Sequence, residues 1–309
     1  MMSEVRRAAE ILRAGGLVAF PTETVYGLGA DASSREAVAR LYAAKGRPAE
    51  HPVIVHFATA DGAFEYAREV PDAARKLAER FWPGPLTMVL KRSARAKDFI
   101  TGGQDSVGLR VPSHPMAQAL LREFDGAVAA PSANRYGTIS ATTAAHVVGE
   151  VNAEYVLDGG PSEVGIESTI VDLSGAAPVL LRPGRISRAE LEAALNATVT
   201  AKNSDSPRHS GGLERHYAPH TPAQLVPSHA LDAEIAKHGD SVAMLAFSRP
   251  DERVDYWIRM PRTPQAYAQR LYAALRELDT ANCSVILIET PPETAEWDAI
   301  RDRLLRATG

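Results

Sequence analysis

The pattern of apolar and polar residues predicts helices and short strands that alternate along the first 200 residues. Apolar residues at helical spacing over 4–14 predict the first helix. A second helix is predicted from a cap at Ser33 or Ser34 to about Ala44, because Gly46 suits a helix C-terminus. Further apolar runs predict a helix over 73–81 and strands over 17–20, 52–57, 86–91, 106–111, 127–130, 154–158, 168–172 and 179–181. Interleaved strands and helices favour an α/β or α+β sheet domain over residues 1–200.

The pattern changes at residue 201, where Pro, Gly, Ser and charged residues replace the apolar runs. This composition predicts a linker over 201–222. Beyond it, the sequence predicts a small α/β domain over 223–309, with strands over 241–247 and 284–289 and a helix over 264–278. A last helix is predicted to place Trp297, Ile300, Leu304 and Leu305 on one core-facing stripe.

Composition narrows the class of protein. The chain has 309 residues, of which 45% are hydrophobic and 23% charged, which is typical of a globular protein with two domains. The net charge of −4 provides no global field for nucleic acid or an anionic membrane. The single Cys283 excludes a disulfide framework within the chain. The sequence shows no signal-peptide pattern and no apolar stretch of roughly 20 residues, so we expect a cytoplasmic protein.

The segment from Phe20 to Ala30 is the first candidate for chemistry, because it places hydroxyls and glycines directly after an apolar strand. Thr22 and Thr24 can donate or accept hydrogen bonds. Gly27 and Gly29 are expected to allow positive φ and the close approach of a ligand to the backbone. An ordinary turn explains the same residues equally well.

Three cations and a polar turn extend this candidate site. Lys45 and Arg47 lie at a predicted helix end, where they could bind an anion or simply complement the helix dipole at the surface. Arg110 shares a strand face with Gly108, so its guanidinium could hold a carboxylate, although an internal Asp or Glu is a comparable partner. A hydroxyl and an amide in the run 131–134 follow an apolar strand, at a sheet edge where ligands often bind.

Several other templates for a functional site do not fit. The P-loop pattern and the hydrolase elbow Gly-x-Ser-x-Gly are absent from the sequence. The run 27–32 matches a loose dinucleotide fingerprint, but residues 21–26 separate it from the preceding strand. His209, His216 and His220 lie in a Pro-interrupted linker without helical register, so we predict no protein metal site.

Taken together, eight motifs that occur in one order resemble those of the threonylcarbamoyl-AMP synthases. They are Pro-Thr-Glu-Thr-Val-Tyr-Gly-Leu-Gly (21–29), Lys-Gly-Arg-Pro (45–48), Pro-Val-Ile-Val-His (52–56), Trp-Pro-Gly-Pro-Leu-Thr (82–87), Gly-Leu-Arg-Val-Pro (108–112), Ser-Ala-Asn (132–134), Glu-Ser-Thr-Ile-Val-Asp (167–172) and Leu-Arg-Pro-Gly (181–184). The resemblance continues through the His-Tyr-Ala-Pro run at 216–219. It implies a YrdC-like twisted mixed sheet with flanking helices, followed by a small Rossmann-like C-terminal α/β domain.

The resemblance also implies an activity. Members of this family join L-threonine, bicarbonate and ATP into threonylcarbamoyl-AMP and pyrophosphate, and Mg²⁺ is expected to accompany the triphosphate. The product would pass to the tRNA threonylcarbamoyl-transferase machinery, which modifies the adenosine beside the anticodon. A weak contact with tRNA is a further expectation, and none with a membrane.

Site residues carry over by position. Lys45 and Arg47 are the expected catalytic residues, which would neutralise phosphates. The threonine pocket implied by the resemblance comprises Thr24, His56, Arg110, Ala130 and Ser168. The implied nucleotide-binding residues are Arg47, His51, Ser106, Ser132, Asn134, Ser140, Arg182 and Tyr217.

The chain departs from the family pattern at two places. His51 stands where members usually have Asn, and the run 206–213 differs from the usual approach to the His-Tyr-Ala-Pro segment.

Two alternative functions remain. The first is a non-catalytic RNA-binding module of the same fold, which needs a contiguous basic surface. Arg35, Arg40, Lys45 and Arg47 could contribute to such a surface. The second is a carbamoyl-phosphate-processing domain of a hydrogenase-maturation enzyme.

Overall fold

A computed structural model describes residues 2–239 and 241–309 of the chain. The fold divides into two compact units. The first comprises the chain up to Tyr136 together with Ala141–Glu163 and Glu167–Gly212, and the second comprises Gly137–Ser140, Val164–Ile166 and Leu213–Gly309. The second unit thus takes up two short segments from the N-terminal part of the chain. The boundaries expected at residues 200 and 222 stay a prediction.

The first unit is built on ten strands. They are β1 (Val18–Phe20), β2 (Gly27–Asp31), β3 (Ile54–His56), β4 (Leu86–Lys91), β5 (Ser106–Arg110), β6 (Val128–Ala129), β7 (Tyr155–Val156), β8 (Thr169–Asp172), β9 (Val179–Arg182) and β10 (Thr200–Ala201). They form one sheet in the order β10-β9-β8-β4-β5-β3-β6-β2-β1-β7. The sheet is mixed, since β3 pairs with β5 in parallel while β4 pairs with β5 antiparallel.

Seven helices flank this sheet: α1 (Met2–Arg13), α2 (Arg35–Lys45), α3 (Ala60–Phe64), α4 (Asp72–Phe81), α5 (Asp98–Thr101), α6 (Pro115–Phe124) and α7 (Arg188–Leu195). The Ser34 side chain accepts from Ala37 N–H and caps α2, and Gly46 ends the helix in the left-handed region. The apolar stripe of α1 packs with that of α6, so Leu12 and Leu120 share one buried cluster. A larger cluster includes Leu28, Leu41 and Leu77 and fills the space between the sheet and the other helices.

The second unit carries a four-stranded sheet and three helices. The elements are β11 (Ala223–Val226), α8 (Leu231–His238), β12 (Val242–Ala246), β13 (Tyr256–Arg259), α9 (Pro264–Asp279), β14 (Val285–Glu289) and α10 (Asp298–Thr308). The strand order is β11-β14-β12-β13, and every pairing is parallel. Strands β12 and β14 are buried along their whole length, as expected for a parallel sheet covered by helices. The expected fold class, a mixed-sheet domain plus a small α/β domain, is confirmed.

Strand β2 corrects one expectation. The glycines at 27 and 29 do not adopt positive φ, and they lie in a strand that pairs antiparallel with β1. A Cβ at Gly29 would lie 2.9 Å from both a Phe20 ring carbon and a Val128 methyl group. Close packing between strands and side chains therefore requires glycine at 29, and backbone conformation does not.

Two smaller points concern the surface. Leu305 was expected on the buried stripe of the last helix, but 59% of it is exposed, because it lies outside the face formed by Ile300 and Leu304. Within the described residues, no helix is both long and apolar enough to cross a membrane.

Candidate active site

The turn after β1 forms one wall of the candidate site. Thr22 Oγ1 donates to Val25 O at 2.6 Å and accepts from the backbone N–H groups of Thr24 and Val25 at 3.2 and 3.3 Å. The Thr24 hydroxyl lies 2.8 Å from the same oxygen. Because the Thr22 side chain is committed to this local network, it fixes the turn and leaves Thr24 as the hydroxyl with remaining capacity for a ligand.

Glu23, in the middle of this turn, is the internal partner of Arg110. Arg110 Nη2 donates to Glu23 Oε1 at 2.7 Å, and each side chain is only 5% exposed. The second carboxylate oxygen of Glu23 accepts from Ser113 N–H at 3.1 Å. The alternative considered for Arg110, an internal carboxylate, is therefore present in the structure. Arg110 Nε is buried and has no hydrogen-bond partner among the described residues, so part of the guanidinium remains available.

His56 lies beside Arg110 because β3 and β5 pair these two residues in register. Burial, followed by the positive charge of Arg110, lowers the pKa of His56 to about 3. The imidazole is therefore neutral near neutral pH. Its Nδ1 is buried without a hydrogen-bond partner in the described part of the chain. Neutral His56 can thus offer a ligand a hydrogen bond without adding charge to the pocket.

Lys45 and Arg47 are buried, which argues against the alternative in which they simply complement the helix dipole at the surface. Lys45 is 3% exposed, and its Nζ donates to the carbonyl oxygens of Ser132 and Asn134. Arg47 Nη2 donates to Pro52 O at 2.8 Å. Burial, followed by the charge of Arg47, holds the pKa of Lys45 well below its usual range. Lys45 therefore ties the end of α2 to the 131–134 turn, as a binding site formed by both segments would require.

His51 lies in the same neighbourhood as these cations. Its Nδ1 is 3.1 Å from the hydroxyl of Tyr136, whose ring also lies 5.4 Å from the Arg47 guanidinium carbon. Burial and the charge of Arg47 lower the pKa of His51. An imidazole held in this way can act as a hydrogen-bonding group.

Arg182, the last residue of β9, contacts Ser168 through two guanidinium nitrogens. Its Nε donates to Ser168 O at 3.0 Å and its Nη2 to Ser168 Oγ at 3.1 Å. The Ser168 hydroxyl also lies 2.8 Å from Thr87 Oγ1 on β4. Arg182 Nη1 donates to Ser210 O at 3.0 Å. Arg182 thus links Ser168, another residue of the predicted site, to Ser210, which lies in the segment predicted to be a linker.

A pocket opens on this sheet, and all of its lining residues belong to the first unit. Strands β3, β4, β5 and β8 line it, with Ser106 and Gly108 on β5, and residues 208–210 line the side away from the sheet. The Arg208 guanidinium donates to Gly102 O at 2.8 Å, and Ser210 Oγ donates to Pro52 O at 3.2 Å. The absence of a side chain at Gly108 leaves this room, as its place beside Arg110 suggested.

Most of the predicted residues lie in the first unit, whereas Ser140 and Tyr217 lie in the second. There, Arg276 Nε donates to Ser140 O at 3.4 Å. Tyr217 is 1% exposed and stacks on Tyr272 with ring centroids 5.7 Å apart. The nucleotide-binding roles of Ser140 and Tyr217 stay predictions. Sequence reasoning assigned no role to Glu23, although its motif, Pro-Thr-Glu-Thr, was identified.

Buried cations, hydroxyls and a pocket at a mixed sheet mark a candidate binding site in an α/β protein. The family described as "Telomere recombination" (Sua5, YciO, YrdC) matches residues 10–184, and the one described as "Threonylcarbamoyl-AMP synthase, C-terminal domain" matches residues 186–309. The chain therefore belongs to the threonylcarbamoyl-AMP synthase family. It is an enzyme of the nucleotidyltransferase class, and this favours the synthase over the non-catalytic RNA-binding alternative.

Named relatives agree over the full length. The threonylcarbamoyl-AMP synthase of Pyrococcus abyssi is 39% identical over 99% of this chain and 94% of its own. The Bacillus subtilis synthase is 37% identical over 99% of this chain and 93% of its own. The crystal structure of P. abyssi Sua5 complexed with L-threonine has a TM-score of 0.93 at 38% identity, covering 100% of this chain and 95% of that one.

Proposed function

We propose that this protein makes threonylcarbamoyl-AMP and pyrophosphate from L-threonine, bicarbonate and ATP. The observation that carries the proposal is the buried Arg110, whose Nε lacks a partner among the described residues, in a chain of this family. A buried guanidinium donor without an acceptor is costly, and a substrate carboxylate would satisfy it.

The position of Arg110 suggests where L-threonine would bind. Arg110 would bind the α-carboxylate, while neutral His56 and the hydroxyls of Thr24 and Ser168 would contact the rest of the amino acid. The backbone at Ala130, directly after β6, would complete the pocket. Polar groups that are fixed before the substrate arrives lower the cost of orienting it.

The nucleotide end contains the buried cations. Lys45 and Arg47 would face the phosphates, and His51, Ser106, Ser132, Asn134 and Arg182 would bind the nucleotide. Threonine carbamate is already an oxyanion, so one of its oxygens can attack the α-phosphorus directly. The new oxygen–phosphorus bond forms as the bond to pyrophosphate breaks, and the cations stabilise the charge that moves to the leaving group.

The metal-ligating side chains of the protein bear on how a Mg²⁺ ion would be held. Among residues 2–239 and 241–309, no cluster of three or more His, Cys, Asp or Glu side chains could hold a metal ion. A Mg²⁺ ion that accompanies ATP would therefore be held by triphosphate oxygens and water, as is usual for this cation. Lys45 and Arg47 supply the protein's own share of charge compensation.

The product defines the next step. A mixed anhydride of a carbamate and AMP is hydrolysed readily, so an acceptor has to consume it soon after release. We propose that this acceptor is the tRNA threonylcarbamoyl-transferase machinery acting on the adenosine beside the anticodon, in the cytoplasm, with at most weak direct contact between this protein and tRNA.

Pyrophosphate release by the full-length protein tests the proposed reaction. We expect release to require L-threonine, bicarbonate and ATP together, and we expect mass spectrometry to detect threonylcarbamoyl-AMP. Omitting each substrate in turn is the control. Pyrophosphate release that does not depend on threonine, or a different adenylate product, would contradict the proposed function.

A further inference from the structure

Glu23 is a buried charged residue that the family-based assignment leaves without a role. It lies in the turn that the Thr22 network fixes, and its two oxygens have different partners. One accepts from Arg110 Nη2 at 2.7 Å and the other from Ser113 N–H at 3.1 Å. The carboxylate is therefore held from both sides, and it is not a flexible counter-ion that follows the guanidinium.

The hydrogen atoms of Arg110 show what this arrangement leaves free. A guanidinium has five N–H donors in a rigid plane, and Glu23 Oε1 takes one donor from Nη2. The Nε–H is buried and lacks a partner among the described residues. Because Glu23 anchors one end of the plane, the direction in which Nε points is fixed before any substrate arrives.

The charges around Arg110 also support a guanidinium that is fixed before the substrate binds. His56, paired in register with Arg110, is neutral because its pKa is about 3. The Arg110–Glu23 pair has no net charge, so it can be buried without an isolated cation waiting for ligand. A guanidinium without Glu23 would instead be free to turn toward other acceptors.

We propose that Glu23 is a positioning residue for substrate binding: by holding Arg110 Nη2, it aims the remaining guanidinium donors at the substrate carboxylate. This rests on the proposed function, in which Arg110 binds that carboxylate. Glu23 itself remains on Arg110 and Ser113 when substrate binds and is not displaced.

Glu23→Gln tests this role, because an amide can accept from only one of the two donors with its single oxygen. Isothermal titration would compare L-threonine with L-threoninamide, which lacks the carboxylate. We expect threonine affinity to fall about ten- to hundredfold while threoninamide affinity changes little, so that discrimination between the ligands collapses. Glu23→Asp, which keeps the charge, should recover part of that discrimination.

Glu154→Gln is the matched control. Glu154 also pairs with an arginine, Arg40, and accepts from a backbone N–H, that of Leu17 at 2.6 Å. It lies outside the residues assigned to the pocket, so its variant should keep wild-type threonine affinity.

Two results would overturn the positioning role. One is unchanged discrimination between threonine and threoninamide in a folded Glu23→Gln protein. The other is an equal loss of both ligands in Glu23→Gln and Glu23→Asp, which would mean that Glu23 only supports the fold. Failure of the wild-type protein to bind threonine would instead contradict the proposed function.

Discussion

Two buried cationic side chains in the first unit, Arg110 and Lys45, differ in how their charge is met. Arg110 has a carboxylate 2.7 Å away, whereas Lys45 Nζ donates to two backbone carbonyls and lies near the positive Arg47. Carbonyl oxygens carry only partial charge, so burial is the largest cause of the lowered pKa of Lys45, whereas the Arg110 guanidinium faces a full carboxylate. The Arg110 region is thus compensated by a carboxylate of the chain itself, whereas we expect the protonation of Lys45 to respond to an anionic ligand.

Breaking the compensated pair should have the largest effect. Arg110→Ala leaves Glu23 as an uncompensated buried carboxylate, so we expect the free energy of unfolding to fall by about 3–5 kcal/mol. We also expect threonine binding to be lost, while ATP binding should persist in the fraction that remains folded. Chemical denaturation and titration calorimetry measure the two effects.

Arg68→Ala is the control for that experiment. Arg68 pairs with Asp105 at 2.9 Å, but both side chains are more than half exposed. Its loss should cost less than about 1 kcal/mol. Similar losses of stability in both variants would contradict the contrast between buried and exposed pairs.

The second prediction concerns His56. Its pKa is lowered from 6.5 in the unfolded chain to about 3 in the folded one, so the unfolded state binds more protons between these values. Stability should therefore fall as pH decreases from 6.5 toward 3, with a contribution of about 1 kcal/mol per pH unit from this group. Comparing denaturation of wild type and His56→Gln across this range measures it. Identical pH dependence in the two proteins would show that His56 does not titrate in this way.

These predictions rest on neighbours that the sequence only partly reveals. The apolar runs located the strands that carry His56 and Arg110, because buried strands have a strong hydrophobic signal. They could not identify Glu23 as the partner of Arg110, since 87 residues separate the two and only the sheet brings them together. The burial of Lys45 was likewise hidden, because a lysine in the last turn of a helix usually faces solvent.

Strand β2 and helix α6 show two further limits. The Gly-Leu-Gly-Ala run in β2 has the composition of a turn, and only contacts with Phe20 and Val128 explain its strand. Helix α6 was not predicted, although Pro115 at its first turn and the buried Leu120 and Leu121 are signals that the sequence contains. The first omission reflects tertiary context, and the second reflects an amphipathic pattern that was left unassigned.

The third prediction sharpens the comparison at Lys45. Its folded pKa lies below that of the unfolded chain, so the free protein gains stability as pH rises between the two values. A triphosphate near Nζ should raise this pKa again. We therefore expect ATP binding to take up a fraction of one proton at pH 8, and Lys45→Met to abolish the uptake. Titration calorimetry in buffers of different ionisation enthalpy measures it, and buffer-independent heats in the wild type would contradict it.

The smallest expected effect concerns residues 208–210, which line the pocket but belong to the polar run after β10. Arg208 Nη2 donates to Gly102 O at 2.8 Å from an exposed position, so this bond should contribute about 0.5–1.5 kcal/mol to closing the segment. Arg208→Ala should then increase local opening about two- to tenfold without changing global stability, because the sheet keeps its own core. Hydrogen exchange over 207–212 measures this opening. Arg95→Ala, which removes an exposed pair with Glu65, is the control and should leave that exchange unchanged. Exchange that is equally slow in wild type and Arg208→Ala would mean that the Arg208 side chain does not hold the segment, and that its remaining contacts do: those of Ser210 with Arg182 and Pro52 and of the Arg208 backbone with Gln104.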